Sequence, residues 1–348
     1  MPRLTVLIAQ VLSSPAAAAD TTCARDFEQM TAIVTRDYAG APAKITPARM
    51  PALTALTDSV RLAVTVTDAN GCTVQLRRWV AFFRDPHLSL AQLSPPPPSA
   101  PAVSGPPRDN RPSLRREDDS TLVVTLPSFG ASSKARIDSL FDANWTLLTG
   151  TPYLILDVRG NNGGGASSYD AVLRLIFTDS MPPAEFETYA TEGNAARLEQ
   201  FMANPGFPAA LKADMGKLHG AMRGNPNGFV RAEPPARRGY DRVHANPRRV
   251  AVVIDARCVS ACEVFLVDAQ FSRKVVVVGA SNSGGMVDYG NLLPIPLLGG
   301  RHRLSLPIAR AWWLPAVSYD NVGIAPALRM PDPTGDPIAF ARRVLAAP

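Results

Sequence analysis

Apolar residues recur at spacings of three and four from Cys23 to His87: Phe27, Met30, Ile33, Val34 and Tyr38 form one set, and Leu76, Trp79, Val80 and Phe83 another. That period places each set on one helical face and predicts a small N-terminal helical lobe over residues 20–90. Residues 91–117 break the pattern with Pro95 to Pro98, Pro101, Pro106, Pro107 and Pro112 among Ser and Gly, which reads as an exposed tether. From residue 118 to 348 the period alternates. Leu122–Leu126, Tyr153–Val158, Arg249–Ile254 and Val275–Val278 are short apolar runs that predict buried strands. Between them, Ile137, Leu140, Phe141 and Trp145, then Val172, Leu173, Leu175 and Ile176, then residues 260–270 carry helical patterns. Strand and helix in alternation predict an α/β core. Residues 186–247 are polar and charged and look like an insertion into it, and Gly299-Gly300 marks a hairpin.

Composition narrows the chemistry. The 348 residues carry a net charge of +6, but no basic block or zinc-finger spacing accompanies it, so nucleic acid is not an expected partner. The chain contains only five lysines and four histidines, so any base drawn from these residue types comes from nine positions. At the N-terminus, Arg3, the apolar run Leu4–Leu12 and Ala17-Ala18-Ala19 have the order of a signal peptide over residues 1–19, which predicts a periplasmic or secreted protein. No other stretch has the length of a membrane span. Four cysteines fit export, with Cys23–Cys72 and Cys258–Cys262 the pairs favoured by proximity. Because the second pair closes a very short loop, two unlinked thiols stay open as the alternative there. There is no CxxC pair, and no metal or organic cofactor is expected.

Two strand ends hold candidate chemistry. The turn Gly160-Asn161-Asn162-Gly163-Gly164-Gly165 lets backbone amides face a ligand, but it lacks the lysine of a phosphate-binding loop. Ser260 stands at the expected start of a helix, where free amides and the helix dipole stabilise negative charge. Glu263, three residues on, would equally suit Ser260 to plain N-capping.

Taken together, these segments resemble the carboxyl-terminal processing (tail-specific) protease family, including its tricorn core protease branch. Five pieces occur in family order: Phe83 to Leu90 around His87, Thr125 to Phe129, Leu154 to Gly164, Ser260-Ala261-Cys262-Glu263, and Asn321 to Pro326. The resemblance implies a serine peptidase with a crotonase-like β-β-α core and a peptide or unfolded-protein substrate. It makes Ser260 the nucleophile, and Ala261 with Gly163 or Gly164 the oxyanion hole. The processing proteases take their base from a lysine 25 residues after the serine, where this chain has Gly285. Lys274, the nearest lysine, is expected to face solvent. The tricorn branch instead draws a histidine from the helical lobe, which maps onto His87.

A serine hydroxyl needs such a base to attack at neutral pH. His219 and His244 lie in the insertion, and His302 lies in the hairpin, where a structural or solvent-facing role is expected. The family pattern puts an acidic group at Asp320 to orient the histidine, directly or through an altered relay, since Pro86 replaces the family's serine; Asp85, Asp157 and Glu263 are fallback carboxylates. The tether leaves no room for the peptide-binding PDZ domain common in the family. The reading is therefore an exported serine peptidase with Ser260 as nucleophile and His87 as base. The alternative is a catalytically inactive relative that binds peptides or small apolar ligands in the same cleft. An acyl-CoA-processing crotonase-type enzyme is a third class, disfavoured by export.

Overall fold

A computed structural model describes residues 21–93, 110–182 and 186–347. The expected signal peptide and most of the proline-rich tether lie outside the described residues. The N-terminal lobe contains α1 (Thr21–Asp37), α2 (Ala41–Lys44), α3 (Met50–Ala63) and α4 (Ala69–Val80), followed by strand β1 (Ser89–Gln92). Asp68 caps α4 by accepting from the Gly71 amide at 2.7 Å. The stripe read from the sequence is the lobe's core: Phe27, Met30, Val34, Leu76, Trp79 and Phe83 are all buried, with Trp79 edge-on to both Phe27 and Phe83. A disulfide joins Cys23 of α1 to Cys72 of α4.

The rest of the chain runs β2 (Ser113–Asp118), β3 (Thr121–Thr125), α5 (Ala131–Ala143), α6 (Trp145–Gly150), β4 (Tyr153–Asp157), α7 (Asp170–Ile176), β5 (Glu187–Tyr189), α8 (Glu192–Ala203), α9 (Ala209–Gly224) and β6 (Phe229–Val230). It continues with β7 (Arg249–Ile254), α10 (Ala261–Ala269), β8 (Val275–Gly279), β9 (Tyr289–Pro296), β10 (His302–Arg310), β11 (Leu328–Arg329) and α11 (Pro337–Ala346). This is a mixed α/β fold. One sheet has the order β11-β8-β7-β4-β3-β2, parallel except for the β2 edge. Val250, Val252 and Ile254 face a core shared with α5, α7 and α10, while Ala251 and Val253 face Ile338, Ala341 and Leu345 of α11. Cover on both faces explains why these strands are unbroken apolar runs. Burying each Val or Ile contributes about 1.5–3 kcal/mol, which fixes the strands and therefore the loops at their ends.

In the second sheet β10 pairs with β9 along one edge and with β1 and then β5 along the other; β6 extends β5. Leu304, Leu306 and Ile308 of β10 pack into the helical lobe's core. His302, buried at the start of β10, sits 2.8 Å from Asp26 and 2.9 Å from Thr73, tying hairpin to lobe in the structural rather than the solvent-facing role.

The expected tether over 91–117 needs correction at both ends. Ala91 and Gln92 complete β1, and residues 113–117 belong to β2. Both are short edge strands with solvent on one side, so neither leaves an apolar run. The insertion folds as β5, α8, α9 and β6, and docks on the lobe through buried Asp37, which accepts from Thr191 and Arg197, each at 2.7 Å.

Candidate active site

The parallel strands deliver two loops side by side at their C-terminal ends. After β4 the chain turns through Arg159 to Gly165. Asn161, fully buried, organises this loop: its Nδ2 donates to the Leu126 carbonyl at 2.8 Å, and its Oδ1 accepts from the Gly163 amide at 2.9 Å. The Phe129 amide donates to the Gly163 carbonyl at 3.0 Å, and the Gly165 amide to the Phe129 carbonyl at 2.9 Å. After β7 the second loop reaches Ser260, which has φ 58° and ψ −124° and opens α10. A non-glycine residue in this region carries about 1–3 kcal/mol of strain, so its surroundings must hold it. The Ser260 amide donates to the Met286 carbonyl and to Glu263 Oε2, both at 3.1 Å.

Glu263 is fully buried and collects further donors. Its Oε1 accepts from Ser283 Oγ at 2.5 Å and the Gly285 amide at 2.8 Å, and its Oε2 from the Met286 amide at 2.8 Å. Burial raises its pKa, opposed by these hydrogen bonds. The carboxylate thus stitches the serine turn to residues 283–286. A disulfide between Cys258 and Cys262 brackets the same turn, so the open alternative of two free thiols does not hold.

Gly163 has φ +89°, and a Cβ there would lie 2.8 Å from Ser260 Cβ and 3.0 Å from the Ala261 nitrogen. Glycine is needed because the two loops touch at this point. The Gly163 N–H, however, is spent on Asn161, which corrects its expected place in an oxyanion hole. Among the described residues the N–H groups of Gly164 and Ala261 donate to no protein acceptor, and both residues line the cleft beside Ser260.

The helical lobe supplies His87. Arg84, at φ 49°, turns the chain after Phe83, and its carbonyl accepts from Asn321 Nδ2 at 2.7 Å. Asp85 Oδ1 then accepts from the His87 amide at 2.9 Å, while its Oδ2 accepts from the Tyr38 hydroxyl at 2.6 Å. The buried imidazole lies with Nε2 3.2 Å from Ser260 Oγ and Nδ1 2.6 Å from the Tyr289 carbonyl oxygen. A carbonyl only accepts, so Nδ1 carries a proton and it is Nε2 that faces the serine.

Of the two arrangements expected for Asp320, direct contact with His87 is not made. Its Oδ1 accepts from the amides of Val287 at 3.0 Å and Asp288 at 2.9 Å, and its Oδ2 lies 3.6 Å from Lys44 Nζ with no hydrogen-bond partner. It therefore anchors the segment leading into Tyr289. Burial first, then the nearby Asp85 carboxylate, push its pKa up to about 7.

Other candidates fall away from the site. Asp157 forms a fork with Arg159 at 2.8 and 2.7 Å. His219 pairs with Glu199, and His244 packs edge-on against Trp145. Lys274 is half-buried rather than solvent-facing, donating to the His244 carbonyl at 2.6 Å at the opposite end of the strands. Position 285 has φ +71°, and a Cβ there would crowd the amide nitrogens of Asn321, Val322 and Gly323 at 2.8 Å, so this backbone has no place for a lysine. Among the described residues no group of three or more metal-ligating side chains gathers, and no helix is long and apolar enough to cross a membrane.

Sequence reasoning missed the Tyr289 carbonyl, which as a backbone group leaves no trace in residue type, and the role of Asn161. The site opens into a cleft of about 410 Å³ lined also by Phe186, Leu218, Val264 and Arg231.

No curated protein sequence matches the chain. Among solved structures, the fold is similar to a candidate peptidase from Parabacteroides merdae, at 15% identity and TM-score 0.63, covering 94% of this chain and 97% of that one. Mature CPAF is similar at 10% identity and TM-score 0.62, with 94% and 97% covered. The photosystem II D1 C-terminal processing protease is similar at 13% identity and TM-score 0.51, with 94% and 98% covered. These likenesses speak for the fold. The model of Peptidase family S41 matches residues 120–330, from β3 through β11 and so across both loops that meet at Ser260. The chain belongs to Peptidase family S41, the carboxyl-terminal processing proteases, and is a serine-type peptidase.

Proposed function

We infer that the protein is an exported peptidase that cleaves peptide bonds by acyl transfer through Ser260, with His87 as general base. The observation that carries this reading is the placement of Nε2 3.2 Å from Ser260 Oγ while Nδ1 is held at 2.6 Å by the Tyr289 carbonyl. His87 takes the hydroxyl proton as Oγ attacks the substrate carbonyl, and returns it to the leaving amine. Water, deprotonated by the same ring, then releases the acyl group. The negative charge on the tetrahedral oxygen is received by the Gly164 amide of the loop after β4 and the Ala261 amide at the start of α10, and one such donor is worth about 100- to 1,000-fold in rate. A carbonyl in place of a carboxylate still orients the ring. Asp320 is a positioning residue in this scheme, acting through residues 287–289. The core is read as crotonase-like, supported by the parallel β3-β4-β7-β8 order and the turn into α10. Export is supported by the two disulfides, which persist in oxidising compartments.

The test is hydrolysis of an unfolded protein by the wild-type chain, Ser260→Ala and His87→Ala. Both variants are expected to lose at least about 1,000-fold in kcat while retaining the fold. Full turnover by Ser260→Ala overturns the nucleophile assignment. An inactive wild-type chain that still binds peptide would favour the binding-module reading.

A further inference from the structure

Among its described lining residues, the cleft beside Ser260 contains no carboxylate, and apart from His87 its one titratable side chain is Arg231. Arg231 directly follows β6, in the segment read from the sequence as an insertion without a motif. Its side chain is 17% exposed, and its Nη2 lies 3.3 Å from Glu187 Oε1. Glu187 is already engaged elsewhere: its Oε2 accepts from Arg310 Nε at 2.9 Å and lies 2.8 Å from Arg310 Nη2. Among the described residues two guanidinium groups therefore share this one carboxylate, which leaves a net positive charge at the cleft wall. Arg231 Nε is buried and has no hydrogen-bond partner among the described residues. An unpaired N–H in such a place carries a desolvation cost that an incoming acceptor would remove. The Nε and Nη2 groups of arginine form a planar fork that fits a carboxylate, and here half of that fork is empty.

We propose that Arg231 receives a carboxylate of the bound peptide, so that this cleft selects substrates with an acidic side chain or a free carboxyl end over neutral ones. The apolar wall of Phe186, Leu218, Val264 and Val287 takes the neighbouring side chains. The inference rests on the peptidase reading for the nature of the ligand, and not on the catalytic step.

Binding to the full-length Ser260→Ala chain separates the two. Three fluorescent six-residue peptides of alanine and leucine serve as probes: one with a single glutamate and an amidated end, one with glutamine in its place and a free carboxyl end, and one with glutamine and an amidated end. At least one carboxylate peptide is expected to bind about tenfold or more tighter than the fully neutral one, from the strength of a charge-assisted hydrogen bond. Which carboxylate peptide binds tighter identifies the source of the group. Adding Arg231→Gln should abolish the preference, and Arg231→Lys should restore part of it. The neutral peptide serves as an internal reference for folding. Equal affinities, a preference that survives Arg231→Gln, or no binding of any peptide at millimolar concentration would overturn the proposal. Reaction of wild-type Ser260 with a serine-directed probe is read in parallel. Labelling without carboxylate preference removes this inference alone, whereas preference without labelling removes the catalytic reading alone.

Discussion

Replacing Gly163 by alanine puts a methyl group where the two loops of the site meet. In the present backbone that Cβ would stand 2.8 Å from Ser260 Cβ, 2.8 Å from the Val259 carbonyl oxygen and 3.0 Å from the Ala261 nitrogen. Carbon atoms rest at about 3.5 Å or more, so the loops must part by about 0.7 Å. The φ of +89° adds about 1–2 kcal/mol of strain for any residue with a Cβ, and overpacking of this kind costs about 1–3 kcal/mol. Gly163→Ala should therefore lose about 2–5 kcal/mol of stability, read by urea denaturation. Rate should suffer further. The displaced groups are the nucleophile and an oxyanion donor, and a shift of about 1 Å costs on the order of 100-fold, so kcat on an unfolded protein should fall about 10- to 100-fold. KM should move less than kcat, because Phe186, Leu218, Val287 and Arg231 of the cleft wall lie outside the two displaced loops. A folded Gly163→Ala chain with kcat within about twofold of wild type would refute the claim that this contact sets the site.

Three further outcomes follow from the geometry. Removing Cys23–Cys72, which spans 49 residues, should cost about 4 kcal/mol of stability and spare the rate of Ser260 labelling, whereas removing Cys258–Cys262, which spans 4, should cost about 2 kcal/mol and slow labelling about tenfold. The reverse ranking in either denaturation or labelling contradicts this. Asp320, its pKa raised from 3.8 to about 7, favours the protonated form when folded. Its contribution to stability is thus full below about 3.8 and disappears as pH rises through about 7, with a slope of at most about 1.4 kcal/mol per pH unit. Asp320→Asn should flatten that slope in denaturation titrations between these pH values, and an unchanged slope would show that Asp320 is not its source. Glu263→Ala leaves the Ser283 hydroxyl and the Gly285 and Met286 amides without their acceptor, and at about 1 kcal/mol each should cost about 3 kcal/mol or more, with kcat falling as the serine turn relaxes. Stability within about 1 kcal/mol of wild type would contradict it.

The strands β4, β7 and β8 were legible because both of their faces are buried, which leaves no polar alternation to confuse the period. Ser260 and the glycine turn were legible for a related reason: close approach of two backbones restricts residue type, and those restrictions stay in the sequence. What orients His87 was not legible. A carbonyl belongs to every residue, so nothing at Tyr289 marks it, and the family pattern points instead to Asp320. The same limit hid the loss of the Gly163 amide to Asn161, since the glycine would read identically with its N–H free. Edge strands β1 and β2 merged into the tether because four to six residues with one face in water carry too little apolar patterning. Arg231 gave no signal in a segment rich in arginine; its place in the cleft, its unpartnered Nε and the sharing of Glu187 with Arg310 set it apart.

The central claim is that Ser260 is made nucleophilic by His87, and mass spectrometry after treatment with a fluorophosphonate tests it most directly. The account predicts one adduct, mapped to Ser260, that forms on the wild-type chain, fails to form on Ser260→Ala and is strongly slowed on His87→Ala. An adduct on another residue, or labelling of Ser260 at the wild-type rate in His87→Ala, would contradict it.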